Sequence, residues 1–155
     1  MKRYADDTNV PVEKSRAEIE ALLSRYGADQ FASGWTETQA VIMFRCKGRH
    51  VRLVLPVPDK EDFRRTPVRA VWRSDDEMRK AWEQGCRQRW RALALCIKAK
   101  LEAVECEITT FEQEFLAHIV LPSGESVGAW LAPQLDAAYT NGAMPLGLPL
   151  LGARS

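Results

Sequence analysis

The feature that most constrains the fold is a helical pattern about 30 residues long in the second half of the chain. It begins after Ser74, a residue type that caps helices, and its apolar positions recur at steps of three and four: Met78, Trp82, Cys86, Trp90, Leu93, Ile97, Leu101 and Val104. A stripe of this kind has to be buried against other elements. Because Ala92–Ile97 is apolar nearly all round, we expect a second cover there, with the C-terminal region as the candidate.

The residues before this helix predict one shorter helix and a sheet. Ser15 and Glu18 have the spacing of a capping box, and Gly27 is suited to end the helix that the box would start. From residue 30 to 57 the apolar period becomes two, which indicates strands. Their short connections make them antiparallel, and we place them at about Phe31–Trp35, Gln39–Cys46 and His50–Leu55.

Two further helices are predicted after the long one, starting at Thr109 or Thr110 and at Ser126. The predicted fold class is therefore α+β, in a single domain over residues 1–155. We divide it into an N-terminal arm at 1–11, an α-β-β-β-α core at 12–104, a helical extension at 105–140 and a Pro/Gly/Leu tail at 141–155.

The net charge of +1 conceals a basic middle and an acidic end. Residues 41–100 contain sixteen Lys and Arg against seven Asp and Glu, whereas residues 101–155 contain one against seven. Arginine forks match phosphate oxygens, and an indole can stack on a base. The hairpin and the long connection at 56–74 therefore carry the candidate nucleic-acid-binding residues, which are Arg45, Lys47, Arg49, Arg52, Arg64, Arg65, Arg69, Trp72 and Arg73.

Two purely structural interpretations of these arginines compete with nucleic-acid binding. The arginines could pair with the acidic C-terminal region inside the fold or simply solvate the surface. Trp82 and Trp90, at helical spacing, are expected in the core. The long helix also carries a second basic ridge that is more typical of a solvated face, formed by Lys80, Arg87, Arg91 and Lys98.

No catalytic or metal-binding motif supports an enzyme, and no cofactor is predicted. The acids Asp59, Glu61 and Asp62 are interpreted as surface loop residues, with a nuclease site as the weaker alternative. The four cysteines form no C-x-x-C pair, so we expect reduced, buried thiols. Neither a signal segment nor a membrane span is recognisable, which favours a cytoplasmic protein.

Two resemblances add to these predictions. The order helix, three antiparallel strands, helix over about residues 12–104 resembles the double-stranded RNA-binding domain. That family has a Gly-Pro-x-His element between its first two strands and a Lys-Lys-x-x-Lys-like cluster at the start of its second helix. Here those places hold Gly34-Trp35-Thr36-Glu37 and Asp75-Asp76-Glu77, so no functional residue is carried over. Separately, segments 88–95, 98–105, 109–112 and 127–134 are similar to small phage and prophage proteins, which implies a bacterial host and a role near DNA metabolism or defence evasion.

The sequence thus predicts a non-enzymatic, nucleic-acid-associated protein of phage or mobile-element type that contacts the phosphate backbone. The alternative is a protein-interaction module, such as an inhibitor of a host defence complex, that uses the acidic C-terminal region and the Leu-rich tail.

Overall fold

The computed structural model describes residues 5–142, and within them it contains four α-helices and a three-stranded antiparallel sheet. The predicted α+β class is confirmed. Residues 143–155 of the predicted tail and the first four residues of the arm lie outside the described residues. The elements are α1 Val12–Arg25, β1 Gln30–Trp35, β2 Gln39–Cys46, β3 Arg49–Pro56, α2 Asp75–Glu105, α3 Phe111–Phe115 and α4 Val127–Asn141, with 3-10 turns at Lys60–Phe63 and Leu116–His118.

The sheet has the order β1-β2-β3, so β1 forms one edge. β2 and β3 are joined by the two-residue turn Lys47-Gly48, in which both residues have positive φ, as expected for a hairpin turn that follows the twist of the strands. Phe44 pairs with Val51, and Ile42 pairs with Leu53. All four are buried, so they belong to the inner face of the hairpin.

The core lies between this inner face and the helices α1, α2 and α3. Ile19 of α1 and Ile97 and Leu101 of α2 belong to the same buried cluster as the inner residues of β2 and β3. Phe111 and Phe115 of α3 complete it, with their ring centres 4.9 Å apart. The apolar face predicted for the long helix is therefore the face that is buried.

Helix α2 begins as predicted. The Ser74 hydroxyl accepts a hydrogen bond from the Glu77 amide, and the Glu77 carboxylate accepts one from the Ser74 amide. The bonds from Ser74 stabilise the ionised carboxylate and so lower the pKa of Glu77. This capping box satisfies amides that the first turn of a helix otherwise leaves unpaired.

The structure differs from the prediction at the start of α1. The helix begins at Val12, after Pro11, and the amide of Ser15 donates to the Pro11 carbonyl. Proline already has the φ angle that a helix start requires, so the chain enters the helix before Ser15 is reached. Ser15 is consequently buried inside the helix, and its hydroxyl has no hydrogen-bond partner within the described residues.

The predicted cover of α2 by the C-terminal region is confirmed for α3, whose Phe111 and Phe115 pack in the same cluster as α2. α1 also packs along α2, and the N-terminal arm is attached to it because the Gln84 side chain donates to the carbonyls of Asp6 and Thr8. Helix α4 packs mainly on the turn at 116–118. Ala92 and Cys96 stay exposed, which costs little because both side chains are small. Among the described helices, none is long and apolar enough to cross a membrane.

Replacing Ser74 with alanine is expected to lower the free energy of unfolding by about 1 kcal/mol, because the first turn of α2 loses its cap. Urea denaturation followed by circular dichroism measures this change. Ser24→Ala is the matched control, since Ser24 is exposed in α1 and caps no helix. Equal stabilities of the two variants would contradict the role assigned to the cap.

Candidate functional site

The nine residues predicted to bind nucleic acid do not form one surface. Lys47 and Arg49 lie at the turn between β2 and β3, whereas the connection that carries Arg64–Arg73 follows the other end of β3. A strand of eight residues separates the two ends, which is about 25 Å. Arg52 lies between them, on the outer face of the sheet opposite Met43.

Two arginines of the hairpin are bound at the surface by other parts of the chain. The Arg45 guanidinium donates two hydrogen bonds to the Asp29 carboxylate, at 2.8 and 2.7 Å. That pairing lowers the pKa of Asp29 and raises the pKa of Arg45. Arg52 donates to the carbonyl of Gly124 at 3.0 Å. Both side chains join separate parts of the chain, so neither is a free phosphate contact.

Arg64 and Arg73 are committed in the same way within the connection. Arg64 forms ion pairs with Glu61 and Asp75, and these two carboxylates raise the pKa of the guanidinium. The Arg73 guanidinium donates to two backbone carbonyls of the connection, at 2.9 and 3.2 Å. These bonds tie the connection to itself and to the start of α2, so the long segment has a defined course despite its lack of strands and α-helix.

The partners of the basic residues lie mostly outside the acidic C-terminal region. Within residues 5–142, the predicted pairing of the nine-residue set with the acidic C-terminal region is limited to the bond from Arg52 to Gly124. On the α2 ridge, Arg87 donates to a neighbouring glutamine and Arg91 pairs with Glu18 of α1. The ridge therefore contributes partly to packing, and it is not a continuous free surface.

The other predicted residues of the connection lie in a narrow turn at 65–72, which we call the arginine turn. Arg65 and Trp72 face each other in an isolated β-bridge, and the amide of Thr66 donates to the carbonyl of Val71. The Arg65 guanidinium lies 4.4 Å from the centre of the Trp72 ring, and Trp72 is 64% exposed. Arg69 is exposed near the tip. The arginine turn thus presents an indole together with two cations.

A groove of about 1240 Å³ lies beside the connection, and we call it the tryptophan groove. Its walls come from the start of α1, the β1–β2 hairpin, the chain after β3 and the first half of α2. Trp35, Trp82 and Trp90 line it. Trp90 is core, at 7% exposed, and Trp35 is 75% exposed, so the groove opens from the core to solvent.

Two of these three indoles carry a cation over the ring. The Lys60 ammonium lies 4.5 Å from the ring centre of Trp82, and the Arg16 guanidinium lies 5.9 Å from that of Trp35. The Trp82 ring is fixed further because its N–H donates to the carbonyl of Pro58 at 2.7 Å. The arginine turn adds a third indole–cation pair, on the connection that leaves this end of the sheet.

The charges along the tryptophan groove nearly cancel. Three cations and four acids line it: Arg16, Lys60, Arg87, Glu13, Glu37, Asp59 and Glu83. The side chain of Asp59 accepts a hydrogen bond from the Glu61 amide, which caps the 3-10 turn at Lys60–Phe63. The groove thus offers indole surface and individual cations rather than a strong positive field.

The sequence analysis identified Trp72 but missed the other two indoles of this end that carry a cation, the exposed Trp35 and the half-buried Trp82. Trp35 was assigned only to a strand, and Trp82 was expected in the core, where the structure places Trp90 but not Trp82. Arg65 and Trp72 are close in sequence, whereas the cations over Trp35 and Trp82 come from elements that only the fold brings near. The sequence therefore carries no local signal for those two pairs.

Comparisons of the chain with protein-family models, with curated proteins and with solved structures gave no match. The candidate site therefore rests on its own geometry.

The thiols and acids give little support for metal chemistry. Among residues 5–142, no group of His, Cys, Asp and Glu side chains is placed to hold a metal ion. The cysteines are free, but the prediction that they are buried is wrong for Cys96 and Cys106, which are exposed on α2 and at its end. Cys46 is buried, and Cys86 lines the tryptophan groove, where burial raises the pKa of its thiol.

Thiol modification tests this arrangement in a variant in which Cys96 and Cys106 are both replaced by serine. Cys46 is expected to react only on unfolding. The reaction of Cys86 is expected to require a higher pH in the folded than in the unfolded protein, because its raised pKa delays formation of the reactive thiolate. The rate at which iodoacetamide modifies Cys86, measured across a pH series for the folded and the unfolded protein, shows whether the two pH profiles differ. Identical pH profiles for folded and unfolded Cys86 would contradict its place in the wall of the groove.

Proposed function

We propose that this chain is a non-enzymatic protein that binds single-stranded nucleic acid at the end of the sheet formed by the tryptophan groove and the arginine turn. The observation that carries the proposal is the presence there of three indoles, each with a cation over its ring. Two of them, Trp35 and Trp72, are more than half exposed.

Single strands suit this surface because their bases are free to stack. Each base on an aromatic side chain contributes about 1–3 kcal/mol to binding. A cation beside the same ring can meet the phosphate that follows the stacked base. Bases in a duplex are already stacked on each other, so a duplex presents mainly its backbone to these indoles.

The balance of charge favours stacking over long-range attraction. The acids of the tryptophan groove offset its cations, and four of the predicted arginines are held by internal bonds. With about three phosphates neutralised, the logarithm of the affinity should fall with the logarithm of salt at a slope of about −2. A surface that depended on the whole predicted set would give a slope about three times steeper.

Fluorescence anisotropy with labelled single-stranded and duplex oligonucleotides of DNA and RNA tests the proposal. We expect the single strand to bind more tightly, and Trp35→Ala and Trp72→Ala each to weaken binding roughly 5- to 150-fold. Circular dichroism checks that both variants stay folded. Duplex binding as tight as single-strand binding, or unchanged affinity in both variants, would contradict the proposal.

A pair of arginine variants serves as the matched comparison. Arg65→Ala removes the cation over Trp72 and should weaken binding, whereas Arg49→Ala changes an exposed arginine at the far end of the hairpin and should not. Equal losses in the two variants would place binding on general charge. Failure to bind any nucleic acid, with a protein complex that survives nuclease treatment, would favour the interaction module instead.

A further inference from the structure

Helix α4 is attached to the rest of the fold along a narrow contact near its start. The amide of Val127 donates to the carbonyl of Ile119, and Val127 packs against the core. A Cβ atom on Gly128 would lie 2.8 Å from the carbonyl oxygen of Ala117, so glycine allows the helix to approach the turn at 116–118. None of the fifteen residues of α4 is buried.

The exposed surface of α4 is largely apolar. Leu131, Leu135 and Tyr139 follow each other at steps of four, so they share one face of the helix. Leu135 is 46% exposed and Tyr139 is 89% exposed. Leu116, on the turn against which α4 packs, is also exposed. Apolar patches of this kind on a protein surface mark sites of association.

We propose that α4 is the interface through which two copies of this chain associate, with the two helices packed antiparallel about a two-fold axis. The charge pattern selects the second copy as the occupant. Asp136 is the only charged residue among the fifteen of α4. Residues near the axis of a symmetric contact face their own copies, so a charge there would meet a like charge. Asp136 lies about 100° around the helix from Leu135 and thus outside the face of Leu131, Leu135 and Tyr139, which leaves that face free to pair with itself.

Helix α2 shows that this depletion is particular to α4. Thirteen of its 31 residues are Asp, Glu, Lys or Arg. The antiparallel arrangement also opposes the two helix dipoles, which is favourable. Helices of about 22 Å packed along their length, with Leu116 at the margin, bury on the order of 1,000 Å² in total, which is at the lower end for specific dimers. The association should therefore depend on concentration.

Sedimentation velocity across a range of protein concentrations tests the proposal on the full chain. The mass should rise toward that of two chains, and Leu135→Glu should weaken the association at least tenfold, because the substitution places two like charges near the axis. Val54→Glu is the matched control, since Val54 is an exposed apolar residue on the outer face of the sheet. A chain that stays monomeric, or a dimer that Leu135→Glu leaves intact, overturns the proposal.

Cross-linking then tests the geometry. Residue 135 lies next to the middle of α4, so in an antiparallel pair it approaches its own copy. In a background with Cys96 and Cys106 replaced by serine, Leu135→Cys should give a covalent dimer on mild oxidation, and Val54→Cys should not. Equal yields from the two positions overturn the symmetric contact. A monomer that becomes dimeric only after residues 143–155 are removed also overturns it, and would assign this face of α4 to that segment.

Discussion

The apolar contact between α2 and the inner face of the sheet is the interaction on which the rest of the structure depends. Trp90, Ile97 and Leu101 of α2 belong to the buried cluster that contains Ile42 and Phe44 of β2. A helix of 31 residues is about 46 Å long, whereas the strands of eight residues span about 26 Å. The helix is therefore too long for the sheet, and its first half extends beyond it.

That overhang creates the candidate site. The chain leaving β3 packs on it, because the Trp82 N–H donates to Pro58 and the ring of Phe63 lies where a Cβ of Gly85 would be. The N-terminal arm and the start of α1 close the other side. The tryptophan groove is the space left between these elements and the ends of the strands. Its position follows from the mismatch in length, without any need for a strained backbone.

The sequence was sufficient for the elements and for the core, and the reasons are physical. Apolar residues alternate in β2 and β3, and they recur at steps of three and four in α2. Each pattern places the apolar residues on one face of its element, and only that face can be buried. The start of α1 was misplaced because a helix can also begin directly after Pro11, which precedes Ser15 along the chain. The exposure of Cys96 was missed because a periodic pattern shows which face is apolar but not how wide its cover is.

The candidate site was less predictable, because charge counts do not show which charges are used. Arg45 and Arg64 stand in basic stretches of sequence, yet each meets carboxylates brought close by the fold. The two indole–cation pairs of the groove join α1 to β1 and the connection to α2. Pairs of that kind depend on tertiary structure, so the sequence could indicate basic and aromatic composition but not the surface that results.

The central claim is that a single strand stacks on the indoles at this end of the molecule. The most direct measurement is a ¹⁵N–¹H correlation spectrum of the tryptophan indole groups, recorded while an unlabelled single-stranded oligonucleotide is added. If the strand stacks there, the signals of Trp35, Trp72 and Trp82 shift together, while those of the buried Trp90 and of Trp130 on α4 change little. Shifts confined to Trp130, or no shift at the three indoles, would contradict it.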